Sequence, residues 1–278
     1  MGQSSTGQPP ADIEFSADQS SRVARRLAHG VYRLTHGERE IGEEVWGIFA
    51  LLNGTYRLLT DIDLAWPVTN TQHVQLDLDA RWKIQGLWVH VDLNHSRRVA
   101  SYIPEDDGLS IEIVESRVRE RDEEQRSNRA RLRNPAGVIT TVPARPTVNV
   151  AGAKPVLQRE LPFQATSFLD YASTMFNFVI LQRLQLLQGA SATFNTVVVT
   201  LPSLEPLNIQ QTYHYEGDEA LGDDEAKPLA RRYTITETGS PDTVTTFWTD
   251  ARGIVVRQQL PLDGELHVCE MVNYRWLT

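Results

Sequence analysis

Tyr56-Arg57-Leu58-Leu59-Thr60-Asp61-Ile62-Asp63-Leu64-Ala65-Trp66 reads with a period of two: Tyr56, Leu58, Ile62, Leu64 and Trp66 are apolar, and Arg57, Asp61 and Asp63 stand between them. Val74, Leu76, Leu78, Ala80 and Trp82 repeat the phase against His73, Gln75, Asp77, Asp79 and Arg81. This alternation marks strands with one wet and one buried face. It continues in Leu87, Val89, Val91 and Leu93, and again in Leu109, Ile111 and Ile113. Turn signals lie between the runs at Asn53-Gly54, Pro67 to Asn70, Asn94-His95-Ser96 and Asp106-Asp107-Gly108. Successive strands joined by short turns pair as antiparallel neighbours.

The chain therefore has a first β half over about 30–133. A second half over about 190–278 contains Phe194 to Leu201, the alternating Ile209, Gln211, Tyr213 and Tyr215, then Tyr233 and Ile235, and Val244 to Trp248. Asp250 to Gly253 turns a hairpin into Ile254 to Leu260. Leu266, Val268, Val272, Tyr274 and Trp276 form the last strand, phased on even positions. Between the halves, Ser167 to Leu187 is expected to be a helix, capped by Thr166 or Ser167 and followed by Gly189. Phe168, Leu169, Tyr171, Met175, Phe176, Phe178, Val179, Ile180 and Leu184 cover more than one stripe of it. A helix apolar nearly all round must be buried, and a sheet that curls around it would bury it. The fold expected is mainly β, a large curved antiparallel sheet or unclosed barrel with one buried helix at about 167–187. One continuous domain over 21–278 is expected, because neither β half has its own helix to cover an apolar face.

Residues 1–20 read as a disordered tail, and a short helix is expected at Ser21 to Leu27, stopped by Gly30. Glu115 to Arg133 packs seven Arg and five acids, whose mixed signs suit a solvated face. Asn134 to Gln164 is Pro-rich and reads as a connection. The acidic stretch Glu216 to Glu225 reads as a solvated loop.

The 278 residues carry 27 Lys+Arg against 36 Asp+Glu, a net charge of −9, which disfavours nucleic-acid binding. A single cysteine, Cys269, excludes an intrachain disulfide and a Cys-rich metal site. No apolar run reaches the ~18 residues needed to span a bilayer. Met1 to Ser16 has no basic and apolar leader pattern, so the location expected is the cytoplasm.

Motifs for chemistry are sparse. There is no Gly-x-Ser-x-Gly, His-Glu-x-x-His, Walker A loop or Gly-x-Gly-x-x-Gly. Asp61 and Asp63, and Asp77 and Asp79, lie at i, i+2 and are expected on the water-facing side of their strands. The scattered histidines lack ligand spacing. No catalytic residue, metal or cofactor is assigned, and the chain is not expected to be an enzyme. Glu270 shares its phase with Val268, Val272 and Tyr274, which would turn a costly carboxylate inward. Aromatic residues on inward phases could line an apolar pocket. With the helix they name a candidate ligand-binding set: Trp66, Trp82, Tyr213, Tyr215, Met175, Phe178, Glu270, Tyr274 and Trp276.

The hairpin Gly37-Glu38-Arg39-Glu40-Ile41-Gly42-Glu43-Glu44-Val45-Trp46 and the later Phe247-Trp248-Thr249-Asp250-Ala251-Arg252-Gly253-Ile254-Val255-Val256-Arg257 resemble uncharacterised bacterial β-rich proteins described as glycolipid-binding, related in fold to the lipoprotein carriers LolA and LolB. The resemblance implies a half-barrel with a helix in its concavity and an apolar ligand with a polar head. The function expected is non-enzymatic binding of a lipid-like or amphiphilic small molecule in the concavity. A structural or interaction protein with a self-filled concavity, or an enzyme using a buried carboxylate, are the alternatives.

Overall fold

The computed structural model describes residues 23–93, 96–117, 154–221 and 229–277. Eight strands come first: β1 (Val23–His36), β2 (Arg39–Leu51), β3 (Tyr56–Leu64), β4 (Asn70–Leu78), β5 (Ile84–Leu93), β6 (Ser96–Pro104), β7 (Gly108–Arg117) and β8 (Lys154–Pro162). Then come β9 (Phe168–Asp170) and the helix α1 (Met175–Leu184). β10 (Ser191–Val199), β11 (Pro206–Ala220), β12 (Leu229–Glu237), β13 (Ser240–Thr249), β14 (Val255–Leu262) and β15 (Glu265–Trp276) complete the chain.

All fifteen strands form one sheet, ordered β8-β7-β6-β5-β4-β3-β2-β1-β15-β14-β13-β12-β11-β10-β9. Two meanders meet where the first strand pairs antiparallel with the last, Ala28 opposite Trp276 and Leu34 opposite Cys269. Every pairing is antiparallel except β9 with β10, where Phe168 faces Thr196. That parallel step needs a crossover, and α1 supplies it. The edges β8 and β9 are consecutive in the chain but do not pair, so the sheet is not closed by hydrogen bonds.

Side-chain contacts show that the sheet curls. Tyr102 on β6 donates to the Leu204 carbonyl in the β10–β11 turn, ten strand positions away from β11 in the sheet order. At ~4.8 Å per strand those positions would lie about 48 Å apart in a flat sheet. Arg98 Nη1 likewise donates to the Pro202 carbonyl at 3.3 Å. The Tyr32 hydroxyl reaches past β15 from β1 to the Val255 carbonyl on β14 at 2.9 Å. The core fills this concavity. Leu58, Leu76, Val89, Ile111 and Leu161 from the first meander join Met175, Phe176, Phe178 and Val179 of α1. Phe194, Tyr213, Phe247 and Val255 from the second pack on Ile180 and Leu181. The helix is buried from Met175 through Leu181, as an all-round apolar helix requires.

Several expectations are corrected. The helix is ten residues long, because Phe168–Asp170 pairs with β10 instead of coiling. It ends where Gln185 turns left-handed, its N–H bonded to the Leu181 carbonyl at 3.1 Å. Residues 23–27 are strand, paired with β2. Gly30 is no helix stop but a mid-strand residue beneath Trp46 and Tyr274. Lys154–Pro162, expected in the Pro-rich connection, is an edge strand, and β11 runs through Glu216–Ala220 of the expected loop. The expected tail, most of the charge run and residues 134–153 lie outside the described residues. Asp61 and Asp77 are not water-facing but buried. Cross-strand partners account for this: Arg57 Nε donates to Asp77 Oδ1 at 2.6 Å, and His73 Nδ1 lies 2.6 Å from Asp61 Oδ1. Asp79 instead holds the β4–β5 turn, accepting from the Arg81 and Lys83 N–H groups.

A Cβ built on Gly30 would lie 2.6 Å from Trp46 Cζ2 and 2.8 Å from Tyr274 Cβ. Gly30→Ala is therefore expected to lower unfolding stability by about 1–3 kcal/mol through overpacking, read as a shifted urea midpoint with an unchanged slope.

Candidate functional site

The phase of β15 decides which of its side chains face the helix. The β1–β15 register pairs Tyr32 with Met271 but Val31 with Asn273, so Val272 is an extra residue. This bulge shifts the inward set from Cys269 and Met271 to Tyr274 and Trp276. Glu270 consequently points to water, and Val272 is half exposed. The inward phase read for Glu270, Leu266, Val268 and Val272 is thus corrected.

The other candidates occupy three places. Met175, Phe178 and Tyr213 lie deep in the concavity and are fully buried; Tyr215 lies further along β11 and stacks on Tyr233 with ring centroids 4.7 Å apart. Tyr213 donates to Asn177 Oδ1 on α1 at 2.7 Å. Trp82, Tyr274 and Trp276 gather at the end of the fold that holds the helix C-terminus. Trp82 stacks on Tyr56 at 4.5 Å and meets Phe178 edge-on at 5.2 Å. Tyr274 donates to the Asp250 carboxylate, and Arg252 lies over Trp276 at 5.7 Å. Trp66 stands apart, at the opposite end.

The buried carboxylate of the concavity is Glu44, not Glu270. On β2 it shares a phase with Gly42, Trp46 and Ile48, a signal available in the alternation. Glu44 Oε1 accepts from Ser173 Oγ at 2.6 Å and from Thr60 Oγ1 at 3.0 Å. Its Oε2 accepts from the Thr174 N–H, the N-cap of α1, at 3.1 Å. A carboxylate from the sheet thus does the work expected of Thr166 or Ser167, and it faces the positive end of the helix dipole. Beside it Thr174 Oγ1 donates to Cys269 Sγ at 2.9 Å. Burial raises the pKa of Glu44 and pushes the Cys269 thiol well up. Cys269 is therefore a poor thiolate.

The helix N-terminus points to a mouth formed by the β1–β2 and β14–β15 hairpins and the β3–β4 turn. A cleft of about 810 Å³ opens there, lined by His36, Glu38, Arg39, Ile41, Trp66, Asp263, Glu265 and Leu266. His36 stacks on Trp66 with ring centroids 4.1 Å apart and planes 17° apart. His36 Nε2 lies 3.4 Å from Glu265 Oε2. His267, paired opposite His36, has its pKa lowered, first by burial and then by His36. Leu262, Leu266 and Val68 leave apolar surface exposed around this mouth. Among the described residues no three His, Cys, Asp or Glu side chains converge as a metal cage, and no helix is long and apolar enough to cross a membrane. His36, Asp263 and Leu266 were not singled out from sequence for this place, because two hairpins far apart in the chain bring them together.

No family model matches the chain, and no curated protein matches it. Among solved structures it is similar to a beta-barrel-like protein of the domain of unknown function DUF1849 from Brucella abortus, at TM-score 0.50 and 12% identity, over 92% of this chain and 99% of that one. It is also similar to a DUF1089 family protein from Pseudomonas aeruginosa, at TM-score 0.44 and 14% identity, over 77% of this chain and 87% of that one. The first likeness supports a barrel-like fold. Neither structure bears the glycolipid-binding or LolA description that the sequence resemblance suggested.

Glu44 gives a pH test. Its folded pKa is raised, so folding disfavours the charged form, and stability falls as pH climbs from the unfolded carboxyl range towards the folded value. In Glu44→Gln the amide can donate to the two hydroxyl oxygens while its carbonyl accepts from Thr174. The urea midpoint is expected to match wild type near pH 4 and to exceed it near pH 8. Glu44→Ala strands the Thr174 N–H and is expected to lose about 1–3 kcal/mol at both.

Proposed function

We propose that the protein binds a lipid-like or amphiphilic small molecule, without catalysis, at the mouth that lies beyond the Glu44-capped helix N-terminus. The observation that carries this reading is the cleft of about 810 Å³ beside the His36–Trp66 stack. Its volume falls in the range of small-molecule sites, and mouths of barrel-like folds are common places for them. Ile41, Trp66 and Leu266 offer an apolar bed, and Glu38, Arg39, Asp263 and Glu265 offer a charged rim for a polar head. The deep concavity suits an apolar tail less well, since Met175, Phe178 and Tyr213 are enclosed by the protein's own side chains.

Native mass spectrometry with solvent extraction of the purified protein tests for a carried amphiphile. In solution, N-phenyl-1-naphthylamine, an uncharged amphiphilic fluorophore, is expected to brighten on binding. Trp66→Ala should weaken its uptake about fivefold or more, the equivalent of losing one aromatic contact of roughly 1 kcal/mol. Unchanged uptake with a lowered unfolding midpoint would assign Trp66 to packing and end the proposal.

A further inference from the structure

The charge around the mouth selects among amphiphiles. Three carboxylates, Glu38, Asp263 and Glu265, line the cleft against one guanidinium, Arg39. Ile41 also lines a neighbouring groove of about 340 Å³ beside Glu40. Glu40 has Arg33 at 3.4 Å, but that pair is exposed and weak. His36 Nε2 lies 3.4 Å from Glu265 Oε2, and burial, then His36, lower the pKa of His267, which disfavours its positive form. A negative rim over an apolar, aromatic bed complements a positive head on an apolar tail, and it repels a carboxylate, sulfate or phosphate head.

Resting on the proposed mouth site, we infer that its ligand is a cationic amphiphile: an alkylamine or quaternary ammonium whose head meets Glu38, Asp263 and Glu265 and whose chain lies along Trp66, Ile41 and Leu266. The head adds no new fold requirement, because Asp263 and Glu265 stand on an exposed hairpin. Asp263 has φ +53°, a conformation that asparagine also tolerates, so Asp263→Asn is a mild change.

The test uses the full chain and displacement of bound N-phenyl-1-naphthylamine by three probes with matched twelve-carbon chains, below their micelle concentrations. Dodecyltrimethylammonium is expected to displace the fluorophore at about tenfold lower concentration than dodecyl sulfate, with the uncharged dodecyl maltoside between them, given a few exposed charges each contributing modestly. Added salt should shrink that gap. Asp263→Asn combined with Glu265→Gln should weaken the trimethylammonium probe about three- to tenfold, leave the maltoside unchanged and keep the unfolding midpoint. If sulfate or maltoside binds as tightly as trimethylammonium, or the double variant loses nothing, the cationic head is wrong while the mouth site stands. If no probe displaces the fluorophore and Trp66→Ala changes nothing, the mouth site itself fails, and the headgroup choice falls with it.

Discussion

Met175-Phe176-Asn177-Phe178-Val179-Ile180-Leu181 has no side that water can hold, and enclosing it is the constraint on which the rest of the architecture depends. One flat sheet covers one side of a helix. Fifteen strands in a single curled sheet cover all of it, and the first meander packs on Met175, Phe176, Phe178 and Val179 while the second packs on Ile180 and Leu181. The curl is held by groups reaching across the concavity: Tyr102 to Leu204, and Tyr171 to Gln72. Each is a buried hydroxyl that donates across the sheet, so opening the sheet costs both apolar contact and hydrogen bonds.

Burying the helix also buries its N-terminus, whose N–H groups need an acceptor. Glu44 supplies one from the sheet and thereby couples the helix to β2 and, through Thr60, to β3. Burial raises the pKa of that carboxylate, and the donors Ser173, Thr174 and Thr60 offset the cost locally. The other face of the same sheet solves a similar problem differently. There the Arg57–Asp77 and Arg97–Asp92 pairs set full charges against one another.

Because Glu44 ties down the helix N-terminus, that end of the concavity is stoppered by Glu44, Cys269 and Leu34, and the space beyond it is left to the hairpin tips. The cleft arises there for a geometric reason. Strand ends diverge where their turns begin, and the His36–Trp66 stack spans the gap between β1 and the β3–β4 turn. The interior is therefore a packing device, and the mouth is where binding chemistry has room.

Much of this was written in local sequence. The alternation in Tyr56–Leu64 and Val74–Leu78 specified strands and their inward face, the turns at Asn53-Gly54 and Asp250 to Gly253 placed the hairpins, and the apolar run after Met175 required a sheet that bends. What tertiary structure alone decided lies where one residue shifts the phase or where distant turns meet. The bulge at Val272 sent Glu270 to water and Cys269 inward, since an extra residue reverses a period-two pattern. Phe168–Asp170 became strand because an open β10 edge offered hydrogen bonds that outweighed its helical pattern. The pairing of β1 with β15, the acceptor role of Glu44 and the mouth made by His36, Trp66 and Leu266 join distant residues, Ala28 with Trp276 at the extreme. Local propensity carries no record of such distances; only closure of the sheet around its helix does.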